Sequence, residues 1–243
     1  MSNQIPLSLT IRDEASFNNF YTPGNEVALS HIKSSISKAM SDGSIFVWGS
    51  ACSGKTHILQ AACSYASDQG LKAAYIPLKD GVEFNMSILD SLENFDLVCI
   101  DDIDSVAGSK SWEQAIFFFY NRAFETGTQV IISGQKSLKE TDLKLPDLIS
   151  RLSWGFVFHL QTLTDENKTK ALQARAKLRG FDLPDSVVAY LLRRIPRDMN
   201  TLFNMLDELD LASLSAKRRL SIPIVKEWFD TSETANKILV KAE

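Results

Sequence analysis

In the first part of the chain, short unbroken apolar runs alternate with longer stretches whose apolar residues recur at helical spacing. The runs are Ser44–Trp48, Ala73–Leu78, Asp96–Ile100, Gln129–Gly134 and Phe156–Leu160. Each is too short for a buried helix and reads as a strand covered on both faces. Between them, Val27–Met40, a helix opening at His57 and closed by Gly70, a short helix over Ser87–Glu93, and Trp112–Thr126 closed by Gly127 read as helices. Leu145–Gly155 precedes the last strand. Strand and helix alternating in this way predict an α/β fold with a parallel sheet and helices on both of its faces.

From Asp165 onward only helical spacing remains: Glu166–Arg179 closed by Gly180, Pro184–Ile195, Asp198 to about Ala216, and Pro223–Phe229. Thr164 is positioned to cap the first of these, and Pro184 suits a first helical turn. The expected division is therefore a mobile arm over 1–14, an α/β domain over 15–162, a small all-helical domain over 163–230 and a weakly patterned tail over 231–243.

The chemistry sits at strand ends. Gly49-Ser50-Ala51-Cys52-Ser53-Gly54-Lys55-Thr56 is a complete phosphate-loop pattern, two glycines five apart followed by Lys and a hydroxyl residue, with a strand before it and a helix starting at His57 after it. The glycines let successive backbone N–H groups turn inward around an anion, with a helix N-terminus behind them. Lys55 is expected to reach the β- and γ-phosphates and Thr56 to offer its hydroxyl to Mg²⁺. A chance match in a Gly/Ser turn is the bland reading, and the flanking elements count against it. Leu97-Val98-Cys99-Ile100 followed by Asp101-Asp102 fits the acidic strand that accompanies such a loop. Asp101 is expected to hold Mg²⁺ through water, and Asp102 stands where a water-activating carboxylate belongs.

Composition changes this picture little. Hydrophobic residues at 44% and charged residues at 23% are ordinary for a globular chain, and no apolar run approaches membrane-spanning length. With no leader-like N-terminus, the expectation is a cytoplasmic protein. Cys52, Cys63 and Cys99 have no metal-ligand spacing, and His31, His57 and His159 are scattered. Charge is uneven: residues 1–150 carry 11 basic and 18 acidic groups, whereas 151–229 carry 13 and 9. That modest basic excess is compatible with an acidic partner or nucleic acid, although an excess of this size is usually just a solvated face.

A phosphate-loop sheet followed by a helical lid resembles the AAA+ ATPases. Within them, Leu97–Ile103, Ser150-Arg151-Leu152-Ser153-Trp154-Gly155 and Met199-Asn200-Thr201-Leu202 look like the bacterial replication initiator DnaA. The resemblance covers roughly residues 15–229, with no counterpart of the initiator's C-terminal DNA-binding domain. Leu178–Pro184 and Thr201-Leu202-Phe203 are more similar to the Hda family, DnaA-homologous regulators that inactivate the initiator after replication begins.

That resemblance implies a chain that binds ADP or ATP with Mg²⁺ through Gly49–His57. It also implies binding to the DNA polymerase sliding clamp and, while clamp-bound on DNA, promotion of hydrolysis of DnaA-bound ATP. Gln4, Leu7 and Leu9 fall on the family's clamp-binding motif and Arg151 on its arginine finger. A guanidinium supplied by a neighbour stabilises the transferring phosphoryl group and accelerates hydrolysis by about 10³ to 10⁵. A homo-oligomer is compatible with the resemblance; a membrane partner is not.

This chain departs from the family pattern at the second sensor, and at two further positions whose departures predict weak or no hydrolysis by the chain itself. Asn200 stands where the family carries its second sensor arginine, with Arg197 one turn earlier as a candidate substitute. Gln135 replaces a first-sensor Asp, and Asp102 is shorter than the Glu of many AAA+ motors. The alternatives are an AAA+ loader or DNA-remodelling ATPase driven by its own hydrolysis and, less favoured for want of an acceptor pocket, a small-molecule kinase.

Overall fold

The computed structural model describes residues 15–18, 20, 23–37, 43–79, 86–196, 199–216 and 220–231, with no side-chain description at Asn200 and 212–216. The chain divides into two compact units between Thr162 and Leu163.

The first unit is built on five parallel strands, β1 (Ile45–Trp48), β2 (Ala73–Pro77), β3 (Leu97–Asp101), β4 (Gln129–Gly134) and β5 (Phe156–His159), in the order β2-β3-β4-β1-β5. Its helices are α1 (Glu26–Ser37), α2 (Lys55–Asp68), α3 (Lys110–Thr126) and α4 (Pro146–Trp154). Side chains alternate across the sheet with period two. Phe46, Val98, Ile100, Val130 and Ile132 enter a core with Ile116, Phe119, Leu148 and Leu152 of α3 and α4. Ile45, Val47, Leu97, Cys99 and Ile131 enter another with Ile32, Ile58, Leu59 and Cys63 of α1 and α2. Both faces of β3 and β4 are therefore buried, which explains their unbroken apolar sequence. Each fully buried Ile or Leu contributes on the order of 1.5–3 kcal/mol.

One stretch has no element assigned from the sequence pattern, and one differs from the sequence expectation. Leu145–Gly155 contains a helix, α4, with Pro146 in its first turn and Leu148 and Leu152 as its buried positions. Ser87–Glu93 is not one helix: two 3₁₀ turns, Met86–Leu89 and Leu92–Asn94, are separated by Ser91, whose left-handed φ of 65° stops helical propagation.

The register brings the chemistry to one edge. Trp48 lies opposite Gly134 and Ile100 opposite Ile132, so the carboxyl ends of β1, β3 and β4 deliver the loop after Trp48, Asp101 and the Ser133–Gln135 turn side by side. That edge is where open α/β sheets bind ligands.

The second unit consists of α5 (Asp165–Leu178), α6 (Asp185–Leu192), α7 (Met199–Ala216) and α8 (Ile222–Thr231), packed through Leu172, Val188, Leu191, Leu206, Val225 and Phe229. Thr164 caps α5, its hydroxyl accepting from the Asn167 N–H at 3.3 Å. Asp207 accepts from Arg175 at 3.3 Å and from Arg179 at 2.9 Å, tying α7 to the end of α5. No helix among the described residues is long and apolar enough to cross a membrane.

Candidate functional site

The loop from Gly49 to Gly54 is shaped by contacts that only glycine permits. A Cβ on Gly49 would stand 2.7 Å from the Leu160 carbonyl and from Ser53 Oγ; a Cβ on Gly54 would stand 2.7 Å from the Phe20 ring, and Gly54 already has a left-handed φ of 95°. The Gly49 N–H donates to the Gly134 carbonyl at 3.2 Å, fastening the loop to the end of β4. Cys52, exposed at the loop's tip, takes a left-handed φ of 64°. α2 starts at Lys55 with no side-chain cap, so its first-turn N–H groups form the anion-binding end of the helix.

Lys55 is 6% exposed and its Nζ donates to the carbonyls of Gly49 at 2.8 Å and Ser50 at 3.0 Å. Burial lowers the pKa of its ammonium, while Asp102, Asp101 and Asp104 oppose that shift. Ser53 Oγ is buried without a hydrogen-bond partner among the described residues. An uncapped helix end, a glycine-shaped cradle, a buried ammonium and an orphaned hydroxyl suit a polyphosphate. Thr56 is exposed on the first turn of α2, and His57 packs against Phe20 with its Nε2 3.1 Å from the Ser16 carbonyl.

The two carboxylates at the end of β3 are held differently. Asp101, 2% exposed, accepts from the Tyr75 hydroxyl at 2.7 Å on Oδ2 and from the Ser133 hydroxyl on Oδ1. Ser133 Oγ in turn accepts from the Asp102 N–H at 2.9 Å. That bond holds Asp102 in a left-handed conformation, φ 56° and ψ 56°, which is uncommon outside glycine. Burial and the neighbouring Asp101 push the Asp102 carboxyl up, against Lys55 and Lys79. Asp104 Oδ2 accepts from the Gln135 N–H at 2.5 Å, so the Ser133–Gln135 turn is fastened to the 3₁₀ turn Ile103–Val106. Among the described residues no group of three or more His, Cys, Asp or Glu side chains could hold a metal by itself. Thr56 and Asp101 are the residues that would hold Mg²⁺, and a hydroxyl and a carboxylate are oxygen donors of the kind that ion takes.

Arg151 is elsewhere. It occupies the last turn of α4, with its guanidinium 4.4 Å from the ring centre of Trp154, which is 68% exposed. No carboxylate pairs with it among the described residues. Its carbonyl accepts from the Tyr120 hydroxyl at 3.1 Å, and that hydroxyl meets Ser44 Oγ at 2.9 Å, just before β1 begins. Gly155 allows the approach: a Cβ there would lie 1.9 Å from the Ser44 carbonyl oxygen. Arg151 is thus anchored at the amino edge of the sheet, and the extended chain from Ser44 to Gly49 separates that edge from the phosphate loop by roughly 16 Å.

Residues 11–159, more than half of the chain, match the model of the bacterial DnaA ATPase domain. The chain belongs to the bacterial DnaA ATPase-domain family. Residues 165–229 match the model of the Hda lid domain, so the second unit is similar to the lid of that DnaA-homologous protein. Domain III of the Thermotoga maritima replication initiation protein DnaA superposes with a TM-score of 0.74 at 19% identity, covering 95% of this chain and 99% of that one. AMPPCP-bound DnaA from Aquifex aeolicus gives 0.69 at 22% identity, covering 84% and 68%. The Thermotoga maritima RuvB Holliday junction branch migration motor gives 0.68 at 16% identity, covering 91% and 73%. At these identities the likeness is one of fold, and the chain spans about two thirds of the longer DnaA chains it matches.

Of the sequence-predicted residues, Gly49, Ser50, Ala51, Cys52, Ser53, Gly54, Lys55, Thr56, Asp101 and Asp102 gather at the carboxyl edge, and Arg151 stands apart from them. Gln4, Leu7, Leu9 and Arg197 lie outside the described residues. Sequence reasoning missed Tyr75 and Ser133, which grip Asp101, and Glu113, which is 1% exposed. Glu113 accepts from the N–H groups of Gly108 at 2.7 Å, Lys144 at 2.8 Å and Leu145 at 2.6 Å, fixing the entry to the helix that carries Arg151. Its only sequence signal is a carboxylate at a core-facing position of an apolar helix.

Proposed function

We propose that this chain regulates the start of DNA replication by holding an adenine nucleotide at Gly49–Thr56 while applying Arg151 to ATP bound by a partner initiator. The observation that carries this reading is the separation of Arg151 from the chain's own phosphate loop, one at each end of the β1 strand. A guanidinium at the far edge serves phosphoryl transfer only when another molecule brings its nucleotide to it.

In this reading the loop N–H groups and Lys55 grip the phosphates of ADP or ATP, and Thr56 with Asp101 holds Mg²⁺, which supplies charge neutralisation when bound. Asp102, with its carboxyl pushed up, and Gln135, without charge, make the chain a holder of nucleotide with little turnover of its own. Trp154 supports the Arg151 guanidinium by cation–π contact, so the planar donor fork is already ordered when it meets a γ-phosphate. Gln4, Leu7 and Leu9 act as the peptide that seats in a groove of the sliding clamp on DNA, and 163–230 is the lid domain.

The test combines ATP-loaded DnaA with clamp on DNA and adds this chain intact, without residues 1–10, or as Arg151→Ala. The intact chain accelerates ATP loss and both altered forms do not. Equal activity from all three overturns the reading.

A further inference from the structure

The contacts around Asp101 join three strands through one buried polar chain. Tyr75 is on β2, Asp101 on β3 and Ser133 on β4. Tyr75 is 7% exposed, Asp101 2% and Ser133 0%. A carboxylate free to rotate about χ2 would present its oxygens in many directions. Here each oxygen has one hydroxyl donor, 2.7 Å away for Tyr75, and these two bonds select a single orientation. Burial, then the charge of Asp101, pushes the Tyr75 phenol well above its ordinary range, so it stays a donor at every working pH.

We propose that Tyr75 is a positioning residue for the divalent cation that accompanies the nucleotide, acting by fixing the orientation in which Asp101 faces the metal's water shell. This rests on the nucleotide-holder reading above. Ser133 does the same for the other oxygen and also holds the Asp102 backbone, so Tyr75 is the cleaner probe. Removing its hydroxyl leaves the aromatic packing on β2 and deletes one charge-assisted bond. Mg²⁺ is demanding about ligand geometry, so an Asp101 released on one side gives up much of the affinity that the metal adds to nucleotide binding.

The experiment is calorimetric titration of the whole chain with ADP, once in Mg²⁺ and once in EDTA, for the parent, Tyr75→Phe, Asp101→Asn and the double variant. The readout is the ratio of the two affinities. In the parent Mg²⁺ strengthens binding; in Tyr75→Phe that ratio falls about fivefold to tenfold. In the double variant it falls no further than in Asp101→Asn alone, because the two residues act as one unit. Ser133→Ala lowers the ratio too and Ser133→Thr, which keeps the hydroxyl, restores it. The Ser133 pair decides the matter should Tyr75→Phe fold poorly, which the melting temperature without nucleotide reports.

An unchanged ratio in Tyr75→Phe overturns the proposal, as does an equal fall with and without Asp101, or equal ratios for Ser133→Ala and Ser133→Thr. A parent that binds ADP with no gain from Mg²⁺ overturns it while leaving the nucleotide-holder reading standing. A parent that binds no ADP in either buffer removes both.

Discussion

The two edges of the sheet are built on different principles. At the carboxyl edge, function is assembled from backbone and buried polar side chains: glycine-shaped N–H groups, a Lys55 ammonium among carbonyls, and an Asp101 with both oxygens occupied. At the amino edge, a half-exposed Arg151 rests on an exposed Trp154, with its backbone held by Tyr120. The first arrangement suits a ligand kept in place for long periods; the second suits a surface that meets a partner and leaves again. Under the proposed function, the difference means that a chain can carry a phosphate loop at one edge and act on another molecule's nucleotide at the other.

If the edges serve different nucleotides, single changes separate them. Arg151→Ala is expected to lower partner ATP hydrolysis by about 10³ or more while the chain's own ADP affinity stays within about twofold; parallel turnover and binding assays check both. Glu113→Ala leaves three backbone N–H groups without their acceptor, so the α/β unit loses about 3 kcal/mol or more in denaturant melts. The surviving folded protein then loses partner stimulation before it loses ADP binding, because the helix released is the one carrying Arg151. Lys55→Ala acts on the other edge alone, weakening ADP binding by about 30-fold in calorimetry, the loss of roughly 2 kcal/mol of charge-assisted bonding.

The smallest effect belongs to Asp102. Its carboxyl is raised in the folded chain by burial and by Asp101. Ionisation is therefore less favourable folded than unfolded, and above the folded pKa the charged group subtracts from stability. Asp102→Asn is expected to melt higher than the parent at neutral pH. That gap closes as pH falls through the carboxylate range and the parent takes up its proton; a gap that widens toward acid contradicts the assignment.

Much of the carboxyl edge could be read from sequence because its determinants are local. The phosphate loop is one contiguous segment, and β3 and β4 are unbroken apolar runs because both their faces are covered. The amino edge was harder. α4 buries only Leu148 and Leu152, too few positions to impose a visible period, so the sequence pattern assigns no element to the helix under Arg151. Tyr75 and Asp101, Ser133 and Asp101, and Glu113 and Leu145 are pairs 26, 32 and 32 residues apart. Such bonds follow from strand order and register, which a residue pattern along one segment does not encode. Ser91 and Asp102 share the same lesson at the backbone level, since a left-handed Ser or Asp is set by its surroundings and not by its own preference.

The central claim is that Arg151 acts on a nucleotide held by another molecule. Its most direct test is hydrolysis with ATP labelled in one protein at a time, in the presence of clamp on DNA. With the label on DnaA, the account predicts rapid release of labelled phosphate with the parent chain and none above background with Arg151→Ala. Rapid release from label on this chain's own loop, or release from DnaA that Arg151→Ala leaves unchanged, would contradict it.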